Sequence, residues 1–294
     1  MKRARRLVEL LWTQPDYIFG RFLMVRRLYS ASRRLVSAPL AGSLRISRIY
    51  SPETEPIVIA ASDLVISDKT VDAHCASLQK TAWSDRIGLS AAAVSALTET
   101  ARTTRLLFKS SGDTVEYAPS LEALSLERRK SAALAQVADG WQDATLQAIA
   151  GDPAIVSVVS KYLGYIPDRA SVFFFWSFAN TLSREERIAR NQTVDFHYDV
   201  DGYNFVYVSF YLVDVDRNGG AHALIERTHK SKRLGHLLGT SCLSDAEAEA
   251  EFGAASIITV EAPAGSGFFE DTSCYHKALV PTHRDRLMLQ IRYQ

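Results

Sequence analysis

The chain has 294 residues, 47% of them hydrophobic and 10% aromatic, with a formal net charge of +1. This is the composition of an ordinary soluble globular protein, and it excludes a disordered, collagenous or disulfide-framework chain. Three scattered cysteines (Cys75, Cys242 and Cys274) suit a reducing compartment, so the expected location is the cytoplasm.

Residues 1–50 hold eleven Lys or Arg against Glu9 and Asp16, a local +9, so the body carries 1 − 9 = −8. A basic head on an acidic body points to an anionic surface or partner. The start resembles a signal-peptide n-region, but the apolar stretch 7–12 is short and holds Glu9, so secretion is not expected. No apolar run approaches the ~20 residues that span a bilayer. The head reads as two basic helical stretches split near Pro15 and ended near Pro39. Two roles stay open for it: a helix packed on the body, or one lying peripherally on an anionic membrane. If the latter holds, deleting the head abolishes vesicle binding and leaves the chemistry of the body intact. No nucleic-acid recognition motif is present, and nucleic acid is not an expected partner.

From 51 to about 164 the chain is mixed. Residues 56–60 suit a short strand, Ser90 suits an N-cap for a helix over 91–102, and 106–108 suits another strand. The Ala/Leu-rich stretch 121–150 reads as one long helical stretch bounded by Gly151-Asp-Pro153. From 170 onward strands dominate. Residues 171–178 are aromatic and β-prone, 204–214 alternate, and 286–293 form a last strand. In 204–214, Val206, Val208, Phe210 and Leu212 make one face; Phe205, Tyr207, Ser209 and Tyr211 make the other. In the last strand Leu287, Leu289, Ile291 and Tyr293 are expected to face the core. The stretches 181–190 (surface loop or short helix) and 243–252 (acidic helix) are lid candidates.

The densest chemistry lies in His197-Tyr-Asp199 and, 79 positions after His197, His276. Residues two apart on a strand project from one face. Two imidazoles and one carboxylate leave coordination positions open, as a non-haem Fe(II) oxygenase requires. A structural zinc site would take four protein ligands. Asp195 and Asp201 share the face of Asp199 on an ideal strand, so alternation alone leaves the carboxylate open. Cys274 lies two before His276, where a small, semi-buried thiol is the preferred reading over a ligand.

The H-x-D, the alternating run, the Asn218-Gly219 turn, the distal histidine and the Arg-led last strand resemble the phytanoyl-CoA dioxygenase family. The likeness covers roughly 150–294, beginning near Lys161. It implies an α+β fold, a double-stranded β-helix (jelly-roll, cupin-like) buttressed by N-terminal helices. The division is a basic helical segment 1–50 and a domain 51–294, of which 51–164 is a mostly helical buttress and 165–294 the barrel. It implies Fe(II), 2-oxoglutarate and O2, with His197, Asp199 and His276 on the metal and release of succinate and CO2. The family's H-x-D spacing picks Asp199. Retention of that acid, which halogenating relatives replace, favours hydroxylation. The family's oxoglutarate-anchoring arginine falls at Arg286, ten after His276, with Arg284 the alternative. The family's hydroxyl two after the distal histidine is here Ala278, so another donor is needed; Tyr207, Tyr211 and Gln192 are candidates. His229 ends Glu226-Arg-Thr-His229 where the family has Gly-Ser-His, and His222, His229 and His236 read as turn and surface residues. The expected substrate is a small molecule, lipid or glycan. Two rivals remain: a cupin-like metal-dependent sugar-binding protein or isomerase, and a non-catalytic barrel docked through its head. Oligomeric state is not legible.

Overall fold

The computed structural model describes residues 13–36, 44–109, 114–190, 192–239 and 241–294, so the stretch 1–12 and the end near Pro39 lie outside the described residues. Helices α1 (Pro15–Phe19) and α2 (Leu23–Val36) form the head. The split expected near Pro15 is there: Thr13 is helical, Gln14 is not, and Pro15 opens α1, where a missing N–H costs nothing. A further break, between α1 and α2, falls at Gly20, where a Cβ would lie 2.3 Å from the Gly202 carbonyl oxygen.

Next come β1 (Arg45–Arg48), β2 (Glu55–Pro56), β3 (Val65–Ser67), α3 (Val71–Thr81), β4 (Trp83–Leu89) and α4 (Ala91–Thr103). They are followed by β5 (Leu106–Phe108), β6 (Glu116–Ala118), α5 (Leu126–Ala132), β7 (Leu134–Val137), α6 (Ala144–Ala150) and α7 (Pro153–Leu163). The remainder supplies β8 (Arg169–Ser177), α8 (Arg184–Ile188), β9 (Phe196–His197), β10 (Val206–Tyr211), β11 (His222–Ile225) and α9 (Leu234–Leu238). It ends with β12 (Cys242–Leu243), α10 (Asp245–Phe252), β13 (Ile257–Val260), β14 (Ser266–Glu270), β15 (His276–Ala278) and β16 (Arg286–Tyr293).

One sheet runs β3-β4-β14-β10-β16-β8-β7-β5-β6 and a smaller one β12-β9-β15-β11-β13. Together they make a double-stranded β-helix with helices on one side, an α+β fold. Alternation sets its layers. Val206, Val208 and Phe210 of β10 and Leu287, Leu289, Ile291 and Tyr293 of β16 face outward, sharing a core with Leu78, Leu97, Ile149 and Val159 of four helices. Each such side chain contributes about 1.5–3 kcal/mol on burial. Their neighbours, including Tyr207, Ser209, Tyr211, Arg286 and Arg292, are thereby turned to the inner face.

Three expectations need correction. The stretch 121–150 is not one helix. Ser125 caps α5, which ends at Ala133 with φ +58°, and the chain then enters β7, paired with β5 and β8. Burial of Ala135 and Val137 against the core outweighs the helical composition. Of 56–60 only Pro56 lies in a strand. The stretch 51–164 holds β2 to β7 beside its helices, and β1, in the segment read as helical, pairs in parallel with β8. Ser90 does cap α4, its Oγ accepting from Ala93 N.

One face of α2 packs on the body. Tyr29 stacks on Tyr203 and meets Tyr165 edge-on. Arg26 is only 5% exposed and reaches Asp271 through two hydrogen bonds of 3.1 and 2.9 Å. The opposite face leaves Met24, Leu28 and Leu35 66–85% exposed. No described helix is long and apolar enough to cross a membrane.

Candidate metal centre

His197 and His276 are brought together by strand register. β9 pairs with β15 at these two residues, and their ring centroids lie 4.4 Å apart. Asp199 lies just past β9 rather than within it, held by a 2.9 Å bond from its N–H to the Thr272 carbonyl. Its carboxylate straddles the rings: Oδ1 is 3.8 Å from His197 Nε2 and Oδ2 is 3.6 Å from His276 Nε2.

The rings present lone pairs to that point for a local reason. His197 Nδ1 lies 3.2 Å from the Asp195 carbonyl and His276 Nδ1 lies 3.1 Å from the Cys274 carbonyl. A carbonyl only accepts, so each Nδ1 carries the proton and each Nε2 keeps a free lone pair for a metal. Burial, reinforced by the neighbouring His276, pushes His197 down to about 4, and burial lowers His276 as well. Burial and the Asp201 charge push Asp199 up to about 6. At neutral pH the three groups offer two neutral imidazoles and a carboxylate. Donors about 2.1 Å from one ion and at right angles lie about 3.0 Å apart, so the two Asp–His pairs close by roughly 0.6–0.8 Å on a metal. The residues fit a metal ion.

The competing carboxylates are engaged elsewhere. Asp195 takes a two-pronged contact from Arg184. Asp201 accepts from Tyr207 Oη at 2.8 Å and pairs with Arg292 at 2.8 Å. A second group, Glu270, Cys274 and His276, also lies within metal-binding reach. It is a poorer donor set. Glu270 Oε2 sits 2.8 Å from His222 Nε2, and burial pushes the Cys274 thiol well above its ordinary range, keeping it protonated.

Other sequence candidates separate clearly. Arg286 is 2% exposed; its Nη2 donates to Ser177 Oγ at 2.9 Å and its Nη1 to the Gly220 carbonyl. Arg284 instead lies in a half-exposed ion pair with Asp216. Tyr207 and Tyr211 are inward and buried, but their hydroxyl protons go to Asp201 and to the Val260 carbonyl (3.0 Å). Gln192 is bonded through its N–H to the Arg187 carbonyl, and among the described residues no side-chain bond links it to the metal donors.

His222 and His229 are not surface residues. His222 is 4% exposed and its ring stacks on His276 with centroids 5.5 Å apart. β11 pairs with β15 so that Leu224 faces His276, which sets His222 opposite Ala278 on the same face. His229 is buried too. His236 stays half-buried, 3.3 Å from Glu251. Cys274 is fully buried rather than semi-buried. The two lid candidates do flank one opening: a cavity of about 650 Å³ lies between Arg184 and Asp195 on one side and Asp245 on the other, with Lys277 and Ala278 along it.

No family model matches the chain, and no curated protein matches it. The chain is similar to the solved structure of EvdO2 from Micromonospora carbonacea var. aurantiaca complexed with 2-oxoglutarate. The identity is 11% over 78% of this chain and 92% of that one, with a TM-score of 0.50. It is also similar to the epimerase SnoN in complex with Fe3+, alpha ketoglutarate and nogalamycin RO, at 17% identity over 76% and 83% of the chains and a TM-score of 0.48. The carbocyclase SnoK from nogalamycin biosynthesis follows, at 15% over 80% and 86%, with a TM-score of 0.47. At these identities the likeness carries the fold alone, and the resemblance to the phytanoyl-CoA dioxygenase family rests on motif order.

Proposed function

We propose that the protein is an Fe(II)- and 2-oxoglutarate-dependent oxygenase that hydroxylates a small-molecule, lipid or glycan substrate. The observation that carries this is the convergence of two Nε2 lone pairs and the Asp199 carboxylate at one point. Arg286, a buried guanidinium with no acidic partner among the described residues, turns to the same inner face. Three protein donors leave sites on the ion for a 2-oxo acid and O2, and bound iron would supply the oxidising chemistry.

The chain's own residues bind, orient and exclude water. His197, Asp199 and His276 would hold the ion, and Arg286 would take the distal carboxylate with a planar fork. Ser177, opposite Arg286 in the β8–β16 register, offers the hydroxyl that Ala278 lacks. Tyr207, bonded to Asp201, stiffens the wall beside Asp199 rather than contacting cosubstrate. The test is oxygen uptake by the iron-loaded protein across metabolite pools. Uptake should require 2-oxoglutarate and yield succinate. Metal-dependent isomerisation of a sugar without oxygen uptake would favour the cupin-like rival.

A second reading concerns location. The exposed stripe Met24, Leu28 and Leu35 on α2 borders a head with a sequence charge of +9, so α2 can present an apolar and basic face to an anionic bilayer. Each basic residue near such a surface adds about 1 kcal/mol. The full chain should co-sediment with phosphatidylserine vesicles and not with neutral ones, less so as salt rises. Leu28→Glu with Leu35→Glu should abolish this. Equal partition of the double variant would exclude α2 as the contact.

A further inference from the structure

From Ala170 to Ser177 in β8 and throughout β16, every residue is buried except Phe173 and Gln290, and the register pairs those two directly. Their exposure does not come from the outer face, where Val172, Phe174, Leu289 and Ile291 lie under the helices. It comes from the barrel's own hollow, onto which alternation turns both side chains. Phe173 borders the interior group of Phe175, Tyr211, Phe268 and Met288, and its ring stacks on that of Phe175 with centroids 4.2 Å apart. Gln136 reaches the same wall from β7. It is the register partner of Phe175, hence a diagonal neighbour of Phe173 within reach of a long side chain. Its Nε2 is buried and has no hydrogen-bond partner among the described residues. The wall leads to the metal centre. Two residues beyond Gln290, Arg292 pairs with Asp201 at 2.8 Å, and Asp201 lies two residues from Asp199. The side chains of His197 and Asp199 are themselves 23% and 26% exposed.

We propose that Phe173, Gln136 and Gln290 form the substrate seat, and that the part of the substrate held there is an uncharged ring bearing a hydroxyl or carbonyl oxygen. This rests on the oxygenase reading above. Charge decides the class. Along 171–177 and 286–292 the charged residues on this wall are Arg286 and Arg292. Arg292 is matched by Asp201, and Arg286 is given to the cosubstrate in that reading. A charged group on Phe173 would lose water and gain no counter-ion. The half-buried Phe173 ring, already backed by Phe175, suits the flat face of another ring better than a mobile chain. An unmet buried donor in a native protein calls for an acceptor, and a neutral oxygen on the ring answers Gln136 Nε2. Gln290 donates through its Nε2 to Ser209 Oγ at 3.3 Å, which fixes its carboxamide beside the phenyl ring. An acyl chain ending in a carboxylate meets none of these features.

The experiment is saturation-transfer NMR on the full chain with 2-oxoglutarate and Zn(II), a diamagnetic stand-in for iron. Three probes are titrated: methyl β-D-glucopyranoside, p-cresol and hexanoate. At least one ring probe should receive saturation, and which one does so tells a sugar from an aromatic substrate. Its apparent Kd should rise about fivefold or more in Phe173→Ala and about threefold or more in Gln136→Leu. Gln136→Leu keeps the bulk and removes an unmet donor, so its melting temperature should not fall, and its weaker binding is then not a folding defect. Hexanoate should receive no saturation that depends on Phe173. Ring probes that bind Phe173→Ala as they bind the wild type overturn the seat, and so does hexanoate binding that Phe173→Ala removes. Calorimetry on the Fe(II)-loaded chain adds a third check: loss of 2-oxoglutarate affinity in both variants would make the hollow the cosubstrate's place and overturn the proposal. Ring binding that behaves as expected, in a protein whose oxygen uptake does not need 2-oxoglutarate, upholds the seat and sinks the oxygenase reading instead.

Discussion

Substituting His276 by alanine should remove Fe(II) binding and the thermal stabilisation that accompanies it. A ligand that binds only the folded state stabilises by RT ln(1 + [L]/Kd), about 2.7 kcal/mol at a hundred times Kd. The wild type should therefore melt several degrees higher with Fe(II) than without, and His276→Ala and His197→Ala should not. The pH dependence has a definite sign. Asp199 sits at about 6 without metal, so below that pH a proton must leave before the carboxylate can bind. Metal affinity should be flat above about pH 7 and fall by about tenfold per unit below 6. His197, at about 4, adds a second proton only under more acidic conditions. Titration with Fe(II) under anaerobic conditions checks this. A His276→Ala variant that keeps its metal-induced shift would remove His276 from the site.

Much of this centre was legible because strand alternation is a strong rule. Val206 and Val208 face the helices, and Leu287 to Tyr293 alternate, as their pattern demanded. Legibility failed where tertiary contacts decide. The break at Ala133 leaves no mark, because alanine is a good helix former and its left-handed φ of +58° is set by β7 pairing on β8. His222 looked like a turn residue. Its burial against Glu270 depends on the β11–β15 register, which one strand alone does not reveal. The burial of Arg187 was hidden among Glu185, Glu186 and Arg190, a pattern that reads as a solvated face.

The head was the least legible part, and it carries the second large effect. Replacing Arg26 by methionine should destabilise the protein by about 3–5 kcal/mol at neutral pH, because the Asp271 carboxylate is left buried and unpaired. The side chains of this pair are only 6% and 3% exposed, so solvent screens little of the interaction. The Arg26 guanidinium also bonds Asn204 Oδ1 at 2.9 Å, and Tyr162 Oη donates to Asp271 at 2.7 Å. Beside Arg26, Asp271 is held well below the ordinary carboxylate range. A depressed folded pKa gives stability that is fully present above the unfolded value of about 3.9 and is lost as pH falls through the folded value. In Arg26→Met, Asp271 is buried without its cation and can take up a proton instead. The gap between wild type and variant should therefore be widest near pH 7 and narrow toward pH 4. Urea unfolding at pH 7 and pH 5 measures it, and Asp271→Asn in the Arg26→Met background should recover part of the loss. The loop concerned is the one whose Thr272 carbonyl holds the Asp199 N–H, so the variant should also bind Fe(II) more weakly. Deleting the head is thus expected to disturb the metal site, contrary to the expectation that iron binding would survive it. A loss below about 1 kcal/mol, or a gap wider at pH 5 than at pH 7, would show that Arg26 does not bind the head to the barrel in this way.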